Sequence, residues 1–135
     1  TGGSDDNGSG LLAFQSQVAV VACTITGNIT SNVGGGIGIV GAGTAVTLTD
    51  SHVTTNTGTS AGGVDIQGAG AKLTLDTLSR ITDNTALAEH GGIRATDGTS
   101  AELPSVDNVT GNTGVLAQCG GAGTFTGAGA VCTGP

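Results

Sequence analysis

The chain alternates apolar and polar positions in short runs, with no helical period. The segments QVAVVACTITGN (17–28), AVTLTDSHVTTN (45–56) and KLTLDTLSRITDN (72–84) step with a period of two. That period marks strands that bury one face. Each run closes on the same phrase: ITGN at 25–28, VTTN at 53–56 and ITDN at 81–84, echoed by VTGN at 109–112. The asparagines are Asn28, Asn56, Asn84 and Asn112, each 28 residues after the last. A short polar stretch follows each one, then a glycine pair: GGGI at 34–37, GGV at 62–64, GGI at 91–93 and GGA at 120–122. The second short strand is then read at IGIV, VDIQ, IRAT and AGTF, and GAG or DGTS closes the cycle. One unit is strand, turn, strand, turn.

A unit of about 28 residues cannot bury a core alone, and repeats of 20–50 residues stack into solenoids, propellers or arrays. This one is too short for a propeller blade of ~40 residues and lacks the Leu/Asn consensus of a leucine-rich repeat. It predicts an all-β fold, a single right-handed parallel β-helix of four to five coils. Handedness follows the general preference of parallel connections. Coils ~4.8 Å apart give a stack roughly 20–25 Å tall. The domain is read as residues 10–135, with residues 1–9 a polar leader. Ile25, Val53, Ile81 and Val109 then stack inward, and Thr26, Thr54, Thr82 and Thr110 face out. The four asparagines form a ladder at a bend, where stacked amides bond each other and the turn backbone. The glycine pairs supply positive φ or close approach. Asp65 and Arg94 fall at matching places and predict a cross-coil ion pair.

Composition agrees with a repetitive β structure. Glycine accounts for 27 of 135 residues, there is no Trp, Tyr or Met, and charged residues make up only 10%. A disordered chain would be far more charged. The net charge of −7, with Lys72, Arg80 and Arg94 the only cations, argues against nucleic acid or an anionic membrane as partner. No apolar run is long enough for a membrane-spanning helix, so no membrane insertion is expected. The chain starts at Thr1 rather than Met, which predicts a removed leader and an extracellular or cell-surface location. Of three cysteines, Cys119 and Cys132 are read as a local disulfide and Cys23 as a buried thiol, with an intersubunit bond through Cys23 or Cys132 as the alternative.

The alternation of GG[IVA] with an aliphatic-x-x-Asn phrase resembles the parallel β-helix repeats of bacterial surface and autotransported proteins, notably the polymorphic outer-membrane repeat with its GGA[ILV] and FxxN phrases. Gly91–Gly92–Ile93 and Gly120–Gly121–Ala122 match the first phrase, and Ile25 to Asn28 with its three echoes match the second, with Ile or Val for Phe. The resemblance covers residues 10 to 125 and implies an extracellular right-handed β-helix. It does not imply one function, because one coil architecture carries lyases, adhesins and spacers.

Candidate chemistry is sparse. Asp65, Asp97, Glu89, His90 and Arg94 crowd one corner in this register, but polysaccharide chemistry needs clustered carboxylates and a sugar-stacking platform. No enzyme and no cofactor are expected. Asp5-x-Asn7-x-Ser9-Gly10 opens like a calcium loop, yet Ser16 stands where the bidentate Glu belongs. Asn28 and Asn108 both head glycosylation sequons; Asn28 belongs to the bend ladder, and Asn108, expected on the outer face, is the better candidate in a host that glycosylates. An ice-binding threonine face is disfavoured because Thr24, His52, Arg80 and Asn108 flank the threonine column.

A solenoid's ends expose strand edges, which natural solenoids cover with caps. No cap helix is legible here. Phe14 and Phe125, placed in the first and last short strands, are candidate plugs or assembly contacts together with Cys23. Open ends predict a chain that stacks on itself head to tail as a filament. The alternatives are a segment of a larger surface adhesin or autotransporter passenger, or a module binding surface glycans.

Overall fold

The computed structural model describes residues 9–130, and every sheet in it is parallel. The first face holds β1 (Leu11–Phe14), β4 (Ile37–Val40), β8 (Val64–Gln67), β12 (Ile93–Ala95) and β15 (Cys119–Gly120), in that spatial order. The second holds β2 (Gln17–Val21), β5 (Ala45–Thr49), β9 (Lys72–Leu75), β13 (Ser100–Glu102) and β16 (Thr124–Thr126). The third holds β3 (Thr24–Thr26), β6 (His52–Thr54), β10 (Arg80–Thr82) and β14 (Val109–Thr110). A small pair, β7 (Thr57–Gly58) and β11 (Thr85–Ala86), flanks the third face. Each strand pairs with its counterpart one coil away, so the chain is a β-solenoid of about four turns with a repeat near 28 residues.

Stacking turns the repeat into columns. Ile25 pairs with Val53, Val53 with Ile81, and Ile81 with Val109. The first face lines up Leu11, Ile37, Val64, Ile93 and Cys119, and the second lines up Val18, Val46, Leu73, Ala101 and Phe125. These side chains form one continuous core. The columns bury aliphatic surface at about 25 cal/mol per Å², and the backbone bonds run along the axis.

The structure corrects the expected unit. Each long alternating stretch breaks into two strands on two faces: the first two turn at Ala22 and Asp50, which adopt left-handed φ of 50° and 46°, and the third turns after Asp76, whose Oδ1 accepts from the Leu78 and Ser79 N–H groups. A coil therefore carries three strand-bearing faces, not two. The glycine pairs act by close approach: a Cβ on Gly63 would lie 2.5 Å from the Gly92 carbonyl oxygen, and one on Gly62 2.5 Å from that of Gly91. Positive φ belongs to the GAG corners, at Gly41, Gly43, Gly68 and Gly70, and within the pairs only to Gly121 of the last.

The last coil departs most. Its first-face strand is Cys119–Gly120, paired with Ile93–Arg94, and not the AGTF stretch. Thr124–Thr126 pairs with Ser100–Glu102, so Phe125 lies on the second face, opposite Ala101. Fewer residues separate the paired positions Cys119 and Phe125 than separate their partners Ile93 and Ala101, and Gly121, at φ 105°, lies in that shorter connection. A 3-10 turn follows at Ala128–Ala130, where the Gly129 N–H donates to the Leu103 carbonyl.

Candidate functional site

The asparagine ladder is the best-organised polar feature. Asn28, Asn56 and Asn84 are fully buried, and Asn112 nearly so. Each donates twice to the Oδ1 of the next: Asn28 to Asn56 through its backbone N (3.0 Å) and Nδ2 (2.9 Å), Asn56 to Asn84 (3.0 and 3.0 Å), and Asn84 to Asn112 (2.9 and 2.9 Å). The second Nδ2 proton goes back to the preceding coil, from Asn56 to Ile25 O, Asn84 to Val53 O and Asn112 to Ile81 O. Only a primary amide supplies one acceptor and two donors in this arrangement, which is why the residue recurs. At the end, Asn112 donates its backbone N–H and Nδ2 to Gln118 Oε1 at 3.0 and 3.3 Å.

A second ladder, unread in the sequence, stabilises the corner between the second and third faces. The Cys23 N–H donates to Ser51 Oγ and the Ser51 N–H to Ser79 Oγ, both at 3.1 Å. Ser79 Oγ donates to Asp76 Oδ1 at 2.7 Å. Its signal was present: positions 23, 51 and 79 are again 28 apart. Asp76 also accepts from the backbone N–H groups of Ser79, Leu78 and Asp50. The Ser79 hydroxyl leads the contacts that hold its carboxyl below the ordinary value. Cys23 occupies the serine position of the first coil. It is a free thiol but an exposed one, not the buried residue expected.

Of the five charged candidates the fold gathers three. Arg94 NH1 lies 2.9 Å from Asp65 Oδ1, and its Nε lies 3.0 Å from Glu89 Oε2. Gln67 Nε2 donates to the other Asp65 oxygen. Asp65 is fully buried, and desolvation raises its pKa, opposed by Gln67 and Arg94. His90 turns away to the Ala117 carbonyl at 2.8 Å, and Asp97 is exposed in the turn between β12 and β13. The cluster fastens β8 to β12, and its guanidinium is committed to two carboxylates. Among the described residues no group of three His, Cys, Asp or Glu could hold a metal ion.

Asn108 is corrected outright. It is fully buried, its Oδ1 accepts from the Ser105 N–H at 2.7 Å, and its Nδ2 donates to the carbonyls of Asp76 and Ser79. It is a corner brace, not an exposed glycan acceptor. Phe14 lies on β1 but points outward, 58% exposed, whereas Phe125 packs against the core. Cys119 is disulfide-bonded and buried. Its expected partner Cys132 lies outside the described residues, as do Asp5 and Asn7 of the calcium-like stretch and all of the leader except Ser9.

The two ends differ. The terminal strands pair alike, β1, β2 and β3 at the N-terminal end and β14, β15 and β16 at the other each having one partner strand among the described residues, and the difference lies in how the column ends are covered. At the N-terminal end Leu11, Val18, Val20 and Ile25 are partly buried, while their counterparts Ile37, Val46, Leu48 and Val53 are wholly buried. At the other end stand Gln118, the disulfide at Cys119, Phe125 and the 3-10 turn. Comparison with protein-family models, with curated proteins and with solved structures gives no match. No helix among the described residues is long and apolar enough to cross a membrane.

Proposed function

We propose that the protein is a non-enzymatic structural solenoid of an extracellular fibre or surface stalk, and that its role is mechanical. The observation that carries this is the burial gradient in the columns, from partly buried Leu11, Val18, Val20 and Ile25 to wholly buried equivalents one coil on. An end of this kind, with three parallel strand edges and four aliphatic column heads, is complementary to another coil of the same register. Two arrangements supply one. In a head-to-tail filament the coil comes from a second copy. In a larger surface adhesin or passenger it precedes this chain covalently. The opposite end has strand edges too, but Gln118, the disulfide at Cys119, Phe125 and the 3-10 turn lie over it, and this favours the second, because a head-to-tail contact needs an accepting face at both ends.

Electron microscopy and sedimentation velocity of the untreated protein at neutral pH separate the two. Particles no larger than a pair of 12.7 kDa chains support the end-segment reading. Long unbranched fibres with an axial layer line near ~4.8 Å would replace it with the self-stacking filament.

A further inference from the structure

We propose that Gln118 terminates the asparagine ladder and closes this end of the solenoid to a further coil. The inference deepens the structural reading above and names the face through which coils are added.

Three rungs of the ladder have one geometry. A backbone N–H and an Nδ2 converge on the Oδ1 of an asparagine 28 residues on, at 2.9–3.0 Å. The fourth rung keeps that geometry with a different residue. Asn112 N lies 3.0 Å from Gln118 Oε1 and Nδ2 3.3 Å from it, Nδ2 also reaching the Thr110 carbonyl at 3.1 Å, and Gln118 is only six residues along the chain. The acceptor that a fifth coil would deliver is supplied from within the fourth. Two features make this feasible. Glutamine has one methylene more than asparagine, which gives its amide reach across the coil. The Gln118 carbonyl is itself fixed by the backbone N–H groups of Gly92 (2.8 Å) and Ile93 (3.1 Å), so the residue is held at the entrance to β15.

The consequence is steric as well as chemical. A coil stacked on the fourth would bring its own asparagine to the position the Gln118 amide now fills. The shortened register of β16, the 3-10 turn at Ala128–Ala130 and the disulfide at Cys119 occupy the same end. In a solenoid each unit contacts only its neighbours, so a dedicated terminator fixes polarity: coils add to β1, β2 and β3 and stop at Gln118. The device resembles helix capping, in which a side chain replaces the backbone partner that the end lacks.

Hydrogen exchange of the whole chain, resolved at single amides, tests this in wild type, Gln118→Ala and Gln118→Glu. In Gln118→Ala the Asn112 N–H loses its acceptor, and its exchange should speed about tenfold to a hundredfold, while Asn56 and Asn84 stay slow. Gln118→Glu keeps an acceptor oxygen and should restore Asn112 protection. Unchanged exchange at Asn112 in the alanine variant, or failure of glutamate to restore it, would overturn the assignment. The same measurement on wild type over a rising concentration series tests closure. Protection gained over residues 109–126 would overturn it, and no gain there upholds it. Gain or no gain over residues 11–26 reports separately on the stacking reading above.

Discussion

Replacing Asn84 with alanine removes the central rung of the buried ladder. Its side chain takes part in four hydrogen bonds: it accepts from Asn56 N and Nδ2 and donates to Val53 O and Asn112 Oδ1. The survivors fare differently. Asn56 Nδ2 keeps Ile25 O, and Asn112 Oδ1 keeps the Asn84 backbone N–H. The Asn56 N–H loses the acceptor the ladder gave it, inside a site with no exposed surface. A buried orphan donor costs about 1–3 kcal/mol and each further lost bond about 0.5–1.5 kcal/mol. With three further bonds lost the sum is about 2.5–7.5 kcal/mol, a large share of the ~5–15 kcal/mol typical of a domain. Urea titration followed by circular dichroism measures it, with Asn56→Ala and the double variant completing a cycle. The two singles should be non-additive by about 1–2 kcal/mol, because they share bonds. A loss below about 1 kcal/mol at unchanged m-value, or strict additivity, would refute the claim that the ladder is a connected network.

Three further outcomes follow from the same geometry. Gly63→Ala drives a Cβ to 2.5 Å from the Gly92 carbonyl oxygen and 2.7 Å from Ile81 Cγ2 and should cost about 3 kcal/mol or more, as overpacking against backbone does. Gly43→Ala, with φ +70° and nothing within 4 Å, should cost about 1 kcal/mol from left-handed strain alone, and paired thermal melts compare the two. Asp65 has a raised folded pKa, so its contribution is full below the unfolded value and is lost as pH climbs through the folded one. Asp65→Asn should therefore gain on wild type as pH rises above the ordinary carboxylate value of 3.8, as read from urea midpoints, and a constant difference would contradict this. Asn108→Ala removes the side-chain partners of the Ser105 N–H and the Asp76 carbonyl, while the Ser79 carbonyl keeps Arg80 NH1, so it should destabilise by about 2–4 kcal/mol. In a glycosylating host, intact mass should show no glycan at Asn108.

Much of this fold was legible because a solenoid must repeat itself chemically. Asn28 and its echoes announce a ladder since no other residue satisfies both neighbours at once, and the Ile25 column follows from the same register. What failed, failed for local reasons. The break at Asp50 was hidden because one residue with left-handed φ turns the strand while the sequence keeps alternating. Asn108 precedes the inward Val109 and so reads as outward-facing, but a polar side chain at a corner can be drawn in by three backbone partners. The last coil misled because GGA at 120–122 copies the glycine phrase, whereas Cys119 takes the aliphatic position that Ile37, Val64 and Ile93 hold in earlier coils. Gln118 has no periodic echo at all. A terminator is used once, so a search for repeats passes over it.

The asymmetry of the ends also sets where the molecule is weakest. Inner coils are gripped on both sides by identical columns and ladders, so opening one requires breaking two interfaces. An end coil has one interface and opens first in a nearest-neighbour stack. The two end coils are not equal. The last is tied by the Gln118 amide, a disulfide and the Gly129 bond to Leu103. The first holds its aliphatic column heads only half out of water. Each Å² that a further coil covers there returns about 25 cal/mol, and each paired strand edge satisfies backbone groups that otherwise bond water. The coil with most to gain from a neighbour is thus the one opposite Gln118.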